Sequence, residues 1–231
     1  MLTIGRHIPF LSCDLGAEQP VLNADIIAVG TNWDPAAPSL VTGTVAGQAV
    51  VPVDLVNIGH WLRLLPGAHM TTGTANFIHT FGLDAASLPS NAMEIRYPDV
   101  PSFNLCTGAC GDTLEMDFTP TGAATATFGL LGQGSAHTGA TSGGTPTSAA
   151  YTAFNKAQGG ITRSSVALAQ VACARLTYAN GMEAVRTIGA WRAWIPALPA
   201  APAKSRCASR RRRYLRRRRS ASQRNLPWRL G

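Results

Sequence analysis

Residues 113–131 read TLEMDFTPTGAATATFGLL, two patterned runs on either side of a turn. In the first run Leu114, Met116 and Phe118 alternate with Glu115 and Asp117. Side chains in a strand point to opposite faces in turn, so this run predicts a strand with one dry face and one wet face. Pro120–Gly122 supplies turn chemistry, and Thr125–Leu131 resumes as a second strand. Upstream, Asn91–Tyr97 (NAMEIRY) sets Met93, Ile95 and Tyr97 against Ala92, Glu94 and Arg96, and Pro98 and Pro101 end it. The three runs predict an antiparallel meander wet on one side. The fold class that follows is mainly β, an antiparallel sandwich or barrel.

Outward from this centre the chain stays β-like with one exception. VLNADIIAVG (21–30) predicts a short strand, TNWDPAAPS a loop, and LVTGTVAGQAVVPV (40–53) one or two strands. The exception is DLVNIGHWLRLL (54–65). There Leu55, Ile58, Leu62 and Leu65 fall on one helical face, Asp54 can cap the start, and Pro66-Gly67 stops the run. His60 and Arg63 lie off that stripe, and Gly59 weakens the helix by roughly 1 kcal/mol relative to Ala. The low-complexity stretch GQGSAHTGATSGGTPTSA (132–149) predicts a flexible surface loop. Strand character returns from Ser165 to Tyr178. Asn180-Gly181 signals a two-residue hairpin, with Met182–Ile188 as the return strand.

Charge divides the chain more sharply than any loop does. The formal charge is +8, yet residues 1–190 carry seven basic residues and all 12 acidic ones, a net of −5. Residues 191–231 carry the other 13 Lys and Arg and no acid. An acidic β body (1–189) is therefore followed by an Ala/Pro/Arg-rich extension (190–231) with no hydrophobic period, expected to be disordered. Only 14% of residues are charged and 45% are hydrophobic, which suits a protein that hides surface against copies of itself.

Chemical motifs are sparse. Cys13, Cys106, Cys110, Cys173 and Cys207 are odd in number and irregular in spacing, unlike a secreted disulfide framework. Cys106 and Cys110 lack a second ligand pair at metal spacing, and His60, His69, His79 and His137 are scattered, so no metal is expected. The Gly-rich run at 129–144 lacks the Gly-Lys-Ser/Thr ending of a phosphate loop, and no Gly-x-Ser-x-Gly elbow occurs. Glu115 and Asp117 share the wet face of a strand, where solvation is their ordinary role. No enzyme and no cofactor are expected. The N-terminus shows no signal-peptide pattern and no apolar run nears the ~20 residues a bilayer requires, so a soluble protein without a membrane partner is expected.

Six motifs in order resemble the tail tube (major tail) protein family of long-tailed phages. They are IGHWLRLLPGAHMTTG (58–73), His79-Thr80-Phe81, Leu88-Pro89-Ser90 with the strand MEIRYPD, Thr107-Gly108 with TLEMDF, ATFGLLGQG (126–134), and LTYANGMEAVRTIG (176–189). The resemblance covers residues 1–189 and implies a β-sandwich flanked by a helix. It also implies hexameric rings stacked into a tube, and an inner barrel to which each subunit lends strands. Its partners would be copies of itself, other phage tail proteins, and DNA passing through the lumen without sequence-specific binding. It places the protein in the virion tail, made in the bacterial cytoplasm.

The resemblance departs at Ala190, where further sandwich strands are expected. Three explanations of the extension stand. Arg210, Arg211, Arg212, Arg213, Arg216, Arg217, Arg218 and Arg219 form an arm that grips nucleic acid, or they are a solvated tail, or translation has left its frame near Gly189. Two other functions compete with the tube: a nucleic-acid-binding protein acting through that arm, and a β-barrel enclosing a small ligand.

Overall fold

The runs of β-branched and alternating residues form strands, and one of them is unusually long. The computed structural model describes residues 5–22, 39–40, 43–67, 69–82, 88–152, 154–156, 159–167, 171–187, 190–196 and 206–209. In chain order the elements begin with β1 (Arg6–His7), β2 (Ser12–Cys13), β3 (Gly16–Glu18), β4 (Val21–Leu22), β5 (Ser39–Leu40) and β6 (Thr44–Pro52). The helix α1 (Ile58–Leu62) follows, then β7 (His69–Thr72), β8 (Ile78–Phe81), β9 (Asn91–Tyr97) and β10 (Ser102–Phe118). After these come β11 (Thr125–Gly132), β12 (Gly134–Thr138), β13 (Thr147–Ser148), β14 (Thr162–Arg163) and β15 (Val166–Ala167). The last are β16 (Val171–Ala179), β17 (Met182–Thr187), β18 (Ala190–Pro196) and β19 (Arg206–Ser209).

The main sheet runs β19-β16-β10-β11-β6-β2, with β3 also on β6. β10 is its axis. Its second half pairs with β16 on one side and β11 on the other; its first half pairs with β9 and β12. The meander of β9, β10 and β11 is antiparallel, as the alternation predicts. TLEMDF is only the second half of its strand, however, because Gly108 and Gly111 hid the continuity of 102–112 from a pattern count. Pairing slips at both places, between Cys106 and Ala109 and between Gly111 and Thr113, and such bulges bend a strand.

The dry face follows the sequence closely. Ala126, Phe128 and Leu130 of β11 are buried beside Val45, Ala49 and Val51 of β6 and Leu114 of β10. Helix α1 covers this face. Trp61 stacks on Phe128 with ring centroids 5.3 Å apart, and Leu64 and Leu65 are buried beside it. Gly111 permits that approach: a Cβ there would come within 3.1 Å of the Leu64 carbonyl oxygen and of Leu65 Cγ.

Several expectations are corrected. The helix is shorter than 54–65, and Leu55 is not on its buried stripe but 78% exposed. Asp54 Oδ1 accepts from the N–H groups of both Asn57 and Ile58 (2.9 and 3.1 Å), so the chain turns before the helix begins. The Gly/Ser/Thr stretch is not one free loop. Gly134–Thr138 is a strand on β10, and Ser135 Oγ donates to the buried Asn104 Oδ1 at 2.6 Å. Farther along, Glu94 accepts from Thr141 Oγ1 (2.6 Å) and the Ser142 N–H (2.7 Å), and β13 pairs with β1.

Asn180-Gly181 does not return the chain along β16. β17 pairs with β18 instead. A type I′ turn needs positive φ at both central residues, and only Gly181 has it (62°), since Ser164 and Ser165 are the only described non-glycine residues with positive φ. Two pieces of the extension expected to be disordered are strands, Ala190–Pro196 on β17 and Arg206–Ser209 on β16. AWRAWIP is rich in Trp and Ile, residues that favour strands, but it does not alternate strictly and Ala and Pro follow it, so no strand was expected there. The eight arginines of 210–219 and residues 23–30 of the strand expected over 21–30 lie outside the described residues.

Candidate assembly surface

The described residues hold no group of three or more His, Cys, Asp or Glu side chains placed to bind a metal. The surface features with the clearest chemical character are the hairpins that stand outside the main sheet. β7 and β8 pair only with each other among the described residues, with His69 opposite Phe81 and Thr72 opposite Ile78. The turn between them depends on Gly73 (φ 97°), where a Cβ would overlap the Asn76 carbonyl oxygen.

Cross-strand register gives this hairpin two distinct faces. One carries His69, Thr71, His79 and Phe81. The His69 ring lies 5.6 Å from that of His79 and 5.5 Å from that of Phe81, and Thr71 Oγ1 and His79 Nδ1 share a 2.9 Å hydrogen bond. The other carries Met70, Thr72, Ile78 and Thr80. Met70 is 68% exposed, Ile78 63% and Phe77 in the turn 64%. A lone two-stranded ribbon that exposes apolar side chains and two unpaired backbone edges is marginal in water and a template for further pairing. β17 and β18 likewise pair only with each other among the described residues.

The motif residues fall on different elements. His79, Thr80 and Phe81 are the return strand of the first ribbon, and His79 and Phe81 meet at the His69 ring. Leu88, Pro89 and Ser90 form the lead into β9. Gly108 lies in β10 at φ 65°, beside the Gln133 side chain. The motif is thus distributed across the fold and builds no single pocket.

Electrostatics elsewhere are structural in character. On the wet face Arg175 donates to Asp117 at 2.6 and 3.1 Å and pairs with Glu115 at 2.7 Å. That hydrogen bonding holds the Asp117 carboxyl below the ordinary Asp range. Arg6 Nη1 donates to His60 Nε2 at 2.8 Å. Burial first, then the charges of Arg6 and Arg63, push the His60 pKa down. Cys106 and Cys110 are free thiols whose pKa values burial pushes up.

The described strands thus form an antiparallel sheet covered by one short helix, with two ribbons that pair with no third strand. The family model described as phage tail tube protein matches residues 8–200 of this chain. The chain belongs to the phage tail tube protein family. The match spans every strand of the main sheet except β19, and it includes β17 and β18. No curated protein matches the chain. A tail tube protein is a structural component of the phage tail, assembling with itself and with other tail proteins.

Proposed function

We propose that this tail tube subunit closes into hexameric rings, which stack into the conduit for DNA ejection. The observation that carries this is the pair of two-stranded ribbons, β7–β8 and β17–β18, each paired with no third strand among the described residues. Joined to ribbons of neighbouring copies, they would close a continuous barrel and remove every open edge. His79, Thr80 and Phe81 would then lie within the subunit contacts, and Leu88, Pro89, Ser90 and Gly108 would set the body that presents them.

Residues 1–190 carry a net charge of −5, which supports a lumen wall neutral to acidic in character. DNA would slide through it, since each Lys– or Arg–phosphate contact adds salt-dependent affinity. The subunit is made in the bacterial cytoplasm before incorporation into the tail. Negative-stain microscopy of the purified full chain tests the proposal: rings or tubes are expected, and a monodisperse monomer at all concentrations refutes it.

The basic extension favours a second activity beside assembly. Thirteen Lys and Arg in residues 191–231, with no acid, suit Arg210–Arg213 and Arg216–Arg219 to a polyanion such as DNA. Binding that weakens steeply with salt and disappears when these arginines become Ser is the expected result. Rings that survive the same replacement separate this activity from tube formation.

A further inference from the structure

The ladder between β16 and β10 ends with Ala179 opposite Thr113, and one more backbone bond follows, from the Asn180 N–H to the Asp112 carbonyl at 2.8 Å. There the ladder stops. The N–H of Met182, the first residue of β17, donates instead to the Asp112 side chain, with Oδ1 at 2.8 Å. The Asn180 carboxamide is fully used. Its Nδ2 donates to the carbonyls of Leu65 and Gly111, both at 2.9 Å, and its Oδ1 accepts from the Tyr178 hydroxyl at 2.6 Å.

These partners are not arbitrary. Leu65 lies just past α1, where a helix end leaves carbonyls without intrahelical partners. Gly111 sits at the bulge of β10, where the regular ladder is broken. One side chain therefore joins the helix end, the bulge and the end of β16 at the point where β17 leaves the body. An Asn-Gly pair ordinarily folds a strand back on itself; here its Asn is held by α1 and β10, and the chain departs into a separate ribbon.

The geometry points to Asn180 and Asp112 as positioning residues for assembly, fixing the direction in which the β17–β18 ribbon is offered to a neighbouring copy. The chemistry is specific at both positions. Asp in place of Asn180 would set carboxylate oxygens against two carbonyl oxygens, and Ala would take the Nδ2 donor from both carbonyls. Asn in place of Asp112 keeps an Oδ1 acceptor for Met182. The offering to a neighbour rests on the tube reading, whereas the aiming of the ribbon is a property of the single chain.

The test uses the full chain as wild type, N180A, D112N and the core variant V51A. Residual dipolar couplings of β17–β18 amides, compared with those of β10 and β11 in the dispersed protein, read the ribbon's orientation. Sedimentation reads the critical concentration for assembly. N180A should average the ribbon couplings toward zero and raise the critical concentration about a hundredfold, since two buried acceptors lose a donor and each such loss costs roughly a tenfold factor. D112N should match wild type in both, and V51A should lower Tm without altering the couplings. Unchanged ribbon couplings in N180A overturn the inference, whether or not the chain assembles. A wild type that forms no ring, with N180A still averaging the couplings, sinks the tube reading and supports the positioning role.

Discussion

β11 and the β7–β8 ribbon use residues of the same kind to opposite ends. In β11 every second side chain, Ala126, Phe128 and Leu130, is buried at 2% exposure or less, because β6, β10 and α1 surround it. In β7–β8 Met70 and Ile78 also share one face of paired strands, yet both are more than 60% exposed. The difference is the missing second layer, not strand propensity. Apolar residues in a strand report what is dry in the finished particle, and in a subunit of a larger assembly the chain itself need not supply the covering.

The largest effect that would break this contrast lies in the body. Phe128→Ala removes a fully buried ring and its Trp61 partner, and should cost about 3–5 kcal/mol in urea unfolding. A loss below about 1 kcal/mol would mean that the sheet is not the stabilising unit. Gly73→Ala addresses the other side. It forces a side chain into a left-handed turn against the Asn76 carbonyl, which should disrupt the ribbon and abolish assembly while the body's unfolding midpoint stays within about 0.5 kcal/mol. A large fall in global stability would show that the ribbon belongs to the body.

Thiol reactivity sharpens the boundary of the body. Burial pushes the Cys13, Cys106 and Cys110 thiols up, whereas Cys173 is exposed. Iodoacetamide at neutral pH should modify Cys173 well before those three, which should react only on unfolding. Mass mapping that finds Cys106 or Cys110 modified early would contradict the packing.

The smallest effect concerns pH. The folded pKa of His60 lies below its ordinary value of 6.5, so the unfolded chain binds more protons in the window just under 6.5. Stability contributed by neutral His60 is complete above that pH and is lost as pH falls through the window. His60→Gln should therefore flatten the decline in urea midpoint between pH 7.5 and 5.5. A decline of unchanged slope would assign it to other groups.

Much of the body was legible in the sequence. NAMEIRY forms β9 with the expected bounds, and of the three residues of TLEMDF expected on the dry face Leu114 and Met116 pack in or against the core, whereas Phe118 does not join it. What was hidden has physical causes. Glycines at 108 and 111 interrupt the pattern of β10, and the strand continues past them through bulges where its pairing slips. Leu55 mimics a helical position, but the Asp54 side chain turns the chain first. Asn180-Gly181 has the composition of a tight hairpin, and long-range bonds to Leu65 and Gly111 override that local preference. The exposed face of the β7–β8 ribbon had no local signal, because exposure of Met70, Phe77 and Ile78 is a tertiary fact that no local pattern encodes.

Hydrogen exchange on the dispersed and the assembled protein measures the central claim directly. Amides of β7, β8, β17 and β18 should exchange rapidly in the dispersed chain and become protected on assembly, while those of β6, β10 and β11 are protected in both states. Ribbons that exchange as fast in the assembled particle as in the free chain would contradict the account.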